Sequence, residues 1–232
     1  MQLSEPRISN EPHRLLLLDP VPLHRHAIIR LIEEDPGLRV VGVYAEATDL
    51  FRALDSTRAE LVRPDLLILE LSDRDGAGLN QIRDLRIHHP RLRMLVLSSH
   101  SESIFAERVL QAGANGFVSK MAELETIMAA IRRVASGETY FSEQVSARLA
   151  LRYLGVGASA TESPVDNLSN RELQVFRLIG SGLPTRAIAE ALGISVKTVE
   201  TYNDHLKRKL GVESGVALAH RAVQWMERGL LQ

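Results

Sequence analysis

Pro64-Asp65-Leu66-Leu67-Ile68-Leu69-Glu70 is an unbroken aliphatic run opened by a proline and an acid and closed by a second acid. Four consecutive apolar positions suit a strand buried on both faces of a parallel sheet, whereas a half-exposed strand alternates. Comparable runs stand at 14–18, 39–44, 93–98 and 116–119, separated by amphipathic stretches at 23–34, 47–54, 79–88, 103–112 and 124–136. Five strand–helix repeats predict right-handed crossovers and an α/β doubly wound, five-stranded parallel sheet over residues 13–135. Ligands of such sheets bind beyond the carboxyl ends of the strands, near the topological switch point. That rule singles out Asp19, Glu70, Ser98 and Lys120.

The chain of 232 residues has room for two ordinary domains, and its 45% hydrophobic and 25% charged residues suit globular cores. It has no cysteine, so disulfides and thiolate chemistry are excluded. No apolar run reaches the ~18 residues of a membrane span, and the polar first eleven residues hold no signal-peptide core. A cytoplasmic protein with no membrane partner is the expectation. A net charge of −1 means that nucleic-acid binding must rest on a local basic patch.

Beyond residue 135 the rhythm changes. Residues 136–165 carry one helical pattern, at 142–153, followed by the small-residue tract Gly155-Val156-Gly157-Ala158-Ser159-Ala160-Thr161, which reads as a linker. Residues 166–232 show only helix signals, predicting a small all-α domain. Ser169 and Glu172 form a capping box ahead of Val175, Leu178 and Ile179. A short helix over Thr185–Leu192, a turn at Gly193, and a longer helix Val196–Leu210 capped by Ser195 make a helix-turn-helix pattern.

These residues carry a resemblance. Leu15-Leu16-Leu17-Leu18-Asp19, the run ending in Glu70, Leu95-Val96-Leu97-Ser98, and Gly113-Ala114-Asn115-Gly116-Phe117-Val118-Ser119-Lys120 are similar to the four landmarks of response-regulator receiver domains. Residues 168–172, Gly182, Ile188-Ala189, Leu192, Ile194-Ser195, Thr198-Val199 and Lys209-Leu210-Gly211-Val212 resemble the LuxR-type DNA-binding domain. The chain is identified as a member of the NarL/FixJ response regulators, whose receivers have a flavodoxin-like strand order. In that family an acidic pair and an acceptor aspartate hold Mg²⁺, a hydroxyl residue and a lysine bind the phosphoryl oxygens, and an aromatic side chain acts as a switch.

Two departures stand out. Glu70 replaces the acceptor aspartate, and Pro20 occupies the second place of the acidic pair. One added methylene moves a carboxylate by roughly 1.3–1.5 Å, and proline offers no ligand oxygen. The resemblance therefore implies a lost Mg²⁺ site, no cofactor, and a degenerate pocket of Asp19, Glu70, Ser98 and Lys120. Three readings of Glu70 stay open: a structural partner of Lys120, a fixed mimic of the phosphorylated state, or a genuine phosphoacceptor. Phe117 matches the switch aromatic and equally suits core packing. Asp73 and Asp75 read as loop acids, and His24, His26, His88, His89 and His100 as surface residues.

On the second helix, Lys197, Glu200, Thr201, Asp204 and Arg208 share one face at spacings of three and four, suited to a major groove. Thr185 and Thr198 join them as candidate DNA contacts, and Lys207, Arg208 and Lys209 supply charge for phosphates. Asp204 either reads a base or pairs with Arg208 at i, i+4, and the pairing is the favoured reading. Val199, Leu206 and Leu210 face the core. A final helix over 216–228 carries Ala219, Val223 and Met226, the side through which the family dimerises.

The expected function is a sequence-specific transcription regulator that binds promoter half-sites as a homodimer, independently of phosphorylation at Glu70. RNA polymerase is a further candidate partner, and a cognate histidine kinase is in question. The alternative is a ligand- or partner-regulated receiver adaptor acting through protein contacts. No nucleophile–base pair is visible, so an enzyme is not expected.

Overall fold

A computed structural model describes residues 11–56, 64–71, 78–154 and 164–230. The tract 155–161, together with Asp73 and Asp75, lies outside them. The chain forms two compact units, one around a sheet and one around the C-terminal helices.

In the first unit the strands are β1 (His13–Leu18), β2 (Leu38–Tyr44), β3 (Leu66–Leu69), β4 (Arg93–Ser98) and β5 (Gly116–Ser119). They pair in parallel in the order β2-β1-β3-β4-β5, the doubly wound arrangement expected from the repeats. The helices that follow these strands in the chain are α1 (Pro22–Glu33), α2 (Ala47–Leu54), α3 (Gly78–His88), α4 (Glu102–Ala112) and α5 (Leu124–Ser136); the first residues of α3 and α4 group with the second unit.

The period of two along each strand divides its side chains between the two faces. Leu15, Leu17, Leu66, Ile68, Leu95 and Leu97 pack on Ile28 and Ile32 of α1 and on Met128, Ile131 and Val134 of α5. Leu16, Leu67, Leu69, Val96 and Phe117 belong to the alternate positions and are equally buried. This two-sided burial explains why β3 reads as LLIL instead of alternating.

The β5 edge is covered by a segment the sequence pattern does not announce. Phe117 N–H donates to Tyr140 O at 3.0 Å, and Tyr140 N–H donates to Asn115 O at 3.1 Å. Chain from residue 140 thus pairs with an edge that would otherwise offer free backbone groups.

The second unit holds α6 (Glu143–Tyr153), a 3₁₀ turn (Pro164–Asn167), α7 (Asn170–Gly180), α8 (Thr185–Leu192), α9 (Val196–Leu210) and α10 (Gly215–Leu230). The capping box at Ser169 and Glu172 is present as expected, with both reciprocal bonds formed. Gly193 ends α8 at φ +63°, the left-handed conformation that the turn between the two helices requires. Ile188, Ala189, Val199, Leu206, Leu210 and the wholly buried Phe176 fill the space between the helices. Trp225 packs on its own unit, its ring tilted against Phe176 at 5.6 Å. Of the stripe expected on the last helix, Val223 is exposed, while the buried face of α10 runs through Leu218 and Ala222. Among the described residues no helix is long and apolar enough to cross a membrane.

Candidate functional site

Backbone ladders carry the pocket residues to a common end of the sheet. Asp19 N–H donates to Tyr44 O at 3.1 Å, Glu70 N–H to Leu18 O at 2.9 Å, and Lys120 N–H to Ser98 O at 2.9 Å. Each bond extends a parallel ladder one residue past its strand. Asp19, Glu70 and Lys120 therefore converge with Ser98, the last residue of β4. The β1/β3 junction beside them is where the strand order reverses.

All four residues expected in the pocket meet there. Ser98 Oγ donates to Glu70 Oε1 at 2.7 Å. The Lys120 ammonium pairs with Glu70 Oε2 and, at 2.7 Å, with Asp19 Oδ2. The other Asp19 oxygen accepts from the Val21 amide at 2.7 Å. Asp19 and Ser98 are buried, and the Glu70 and Lys120 side chains are only 13% and 12% exposed. Charges this far from water persist only when each is matched, and here both carboxylates reach the same ammonium. Among the described residues no group of three or more His, Cys, Asp or Glu side chains is arranged to hold a metal ion. Pro20 is exposed and contributes no ligand.

Two sequence expectations change in the pocket. His24 is not an isolated surface residue: Lys120 Nζ donates to its Nδ1 at 2.9 Å. Phe117 is fully buried on the sheet, a position that suits core packing.

In the second unit, α9 presents Lys197, Glu200, Thr201, Asp204 and Arg208 on an exposed face, with Val199, Leu206 and Leu210 turned inward. Ser195 caps the helix, accepting from the Thr198 amide at 3.0 Å. Its hydroxyl also shares a 2.8 Å bond with the Thr198 hydroxyl. Thr185 begins α8 and is partly exposed. Tyr202 is half-buried.

Residues 15–132 match the model of the response regulator receiver domain, and residues 166–222 match that of the bacterial regulatory proteins of the luxR family. The chain belongs to the NarL/FixJ family of response regulators. It is 36% identical over 219 residues to the transcriptional activator protein ExaE of Pseudomonas putida, covering 94% of this chain and 98% of that one. It is 33% identical over 211 residues to the response regulator GacA of Pseudomonas aeruginosa, covering 91% and 95%. Among solved structures it is similar to RcsB of Salmonella enterica serovar Typhimurium bound to promoter rprA in the presence of phosphomimetic BeF3-. That match has a TM-score of 0.65 and 26% identity, covering 90% of this chain and 97% of RcsB. This response regulator is accordingly a DNA-binding transcription regulator that joins a receiver to a LuxR-type helix-turn-helix.

The charges on the regulator's second helix are less available than its sequence suggests. Asp204 pairs with Lys207 at 2.8 Å, an i, i+3 contact, and not with Arg208. The Lys207 hydrogen bond and charge hold the Asp204 carboxyl below its usual range. Lys209, its side chain 43% exposed, donates to Glu172 Oε2 at 2.7 Å. Lys197 pairs with Glu200 at 3.7 Å. Of the basic run 207–209, only Arg208 forms no ion pair among the described residues. The Glu172–Lys209 and His24–Lys120 contacts were not read from the sequence, because each spans a long separation that helical spacing does not reveal.

Proposed function

We propose that this response regulator binds double-stranded promoter half-sites as a homodimer in the cytoplasm, through α9, and that DNA binding does not require phosphorylation of Glu70. The observation that carries the second part is the Glu70 carboxylate itself. It already accepts from Ser98 and pairs with Lys120, the two groups that the resemblance assigns to phosphoryl oxygens. A fixed anion held by a hydroxyl and an ammonium permanently occupies those two groups with one negative charge, against the roughly 1.5–2 charges of a phosphoryl group. The relative RcsB was solved on promoter DNA in the presence of the phosphomimetic BeF3-, and in this chain the glutamate would stand for such a mimic. Thr185, Lys197, Thr198, Glu200, Thr201 and Arg208 are the proposed DNA contacts, with RNA polymerase as the further partner at the promoter.

The test is to incubate the full chain with a small-molecule phosphodonor and Mg²⁺, weigh the intact protein, and measure binding to genomic fragments before and after. An unmodified mass and unchanged binding are expected. A stoichiometric phosphoryl adduct on Glu70 would overturn the reading.

A further inference from the structure

A lysine ammonium carries three N–H donors and no acceptor. Three partners surround Lys120: Asp19 Oδ2 at 2.7 Å, Glu70 Oε2, and His24 Nδ1 at 2.9 Å. The two carboxylates answer its charge, but His24 does not. Because an ammonium only donates, the imidazole accepts through Nδ1 and carries its own proton on Nε2. His24 reaches the pocket from the first turn of α1, which begins at Pro22. That turn is tied to the strand end by Arg25 Nη1, which donates to Asp19 O at 2.7 Å.

An incoming oxyanion needs an N–H of this lysine directed at it, since charge-assisted hydrogen bonds do the neutralising. We propose that His24 is a positioning residue that completes the donor shell of Lys120 and keeps the pocket shut to phosphoryl groups and other oxyanions. This rests on the reading of Glu70 as a fixed anion and adds a second barrier to it. Replacing Glu70 and Pro20 by aspartate is then insufficient to reopen the pocket while His24 remains. The His24 side chain is 42% exposed, so its replacement does not open the core.

The first test labels the full-length protein with acetic anhydride and reads acylation of Lys120 against exposed Lys197 by peptide mass. His24→Ala is expected to raise the Lys120 rate roughly ten- to a hundredfold, the effect of losing one hydrogen bond to a charged group. His24→Asn, whose Oδ1 lies near the place of Nδ1, is expected to return it to the wild-type rate. Equal labelling of Lys120 in wild type and His24→Ala would sink the proposal.

The second test treats P20D/E70D and P20D/E70D/H24A with acetyl phosphate and Mg²⁺ and follows intact mass. Faster adduct formation in the triple variant supports the lock, and equal extents in the two, including none in either, overturn it. A phosphoryl adduct on wild-type Glu70 would instead count against the fixed-anion reading, so the two failures are distinct.

Discussion

Lys209 donates to Glu172 at 2.7 Å and so joins the last turn of α9 to the first turn of α7, 37 residues earlier in the chain. The same carboxylate oxygen accepts from the Ser169 amide at 2.7 Å, completing the capping box. Glu172 is only 4% exposed. Burial alone would raise its pKa, but the Lys209 and Ser169 hydrogen bonds outweigh this and hold it below the usual carboxylate range. A helix cap has thereby become an anchor for α9, the helix proposed to read DNA.

That anchor gives a pH dependence with a definite sign. A carboxyl whose folded pKa lies below its unfolded value stabilises the protein above the ordinary carboxylate range, and loses that contribution as pH falls through the folded pKa. Glu172→Gln is expected to cost ~1–2 kcal/mol at neutral pH, the value of a charge-assisted bond less its neutral replacement. The penalty should vanish under acid. Denaturant unfolding of the helical unit at pH 7 and at pH 3 checks this, and a penalty unchanged at pH 3 would refute it.

The ion pair of Lys209 with Glu172 separates it from Arg208 in salt dependence. Each phosphate contact contributes about 0.9 to the slope of log K against log salt. Arg208→Ala is expected to lower the slope by about 1. Lys209→Ala should weaken binding by misplacing α9 while leaving the slope unchanged. Fluorescence anisotropy titrations on one duplex at several salt concentrations make the comparison, and a lower slope for Lys209→Ala would return that residue to the phosphate contacts.

Asp204 is expected to oppose DNA binding in general. Its carboxylate holds Lys207 at 2.8 Å and lies exposed on the face proposed to meet DNA. Asp204→Asn removes that acid and releases Lys207, so affinity for non-cognate duplex should rise several-fold at low salt and less at high salt. If binding to cognate DNA falls while non-cognate binding is unchanged, Asp204 reads a base instead.

Legibility from sequence followed the range of the interaction. The uninterrupted leucines of β1 and β3 place both strands within a residue of their positions, because two-sided burial leaves no other pattern. Asp19, Glu70, Ser98 and Lys120 were legible because each ends a strand or directly follows one, and parallel strands deliver their ends to one edge. His24 was not, since its reach to Lys120 depends on how α1 leaves the sheet. Nor was Tyr140, which pairs with β5 from a stretch with no strand signal. The i, i+4 rule favoured Arg208 as the partner of Asp204, yet i, i+3 spacing is equally available on a helix and Lys207 takes it. Helical spacing lists the neighbours a charge has, but tertiary packing decides which of them is still unclaimed.

The pocket should respond unequally to the loss of Lys120, Glu70 and Ser98. Lys120→Ala leaves Asp19 and Glu70 without a cation, and both are largely withdrawn from water, Asp19 at 1% exposure and Glu70 at 13%. Breaking a buried pair by removing one partner costs about 3–5 kcal/mol, and the upper part of that range applies where two anions are stranded together. Glu70→Ala leaves Lys120 paired with Asp19 and bonded to His24, so the cost should be nearer ~1–2 kcal/mol. Ser98→Ala removes one hydroxyl from a carboxylate that keeps its ammonium, and should cost about 1 kcal/mol. Urea unfolding of the sheet unit, followed by circular dichroism, orders the three. A Glu70→Ala penalty as large as that of Lys120→Ala would mean that Asp19 and His24 do not hold the lysine, and would remove the physical basis for a closed pocket.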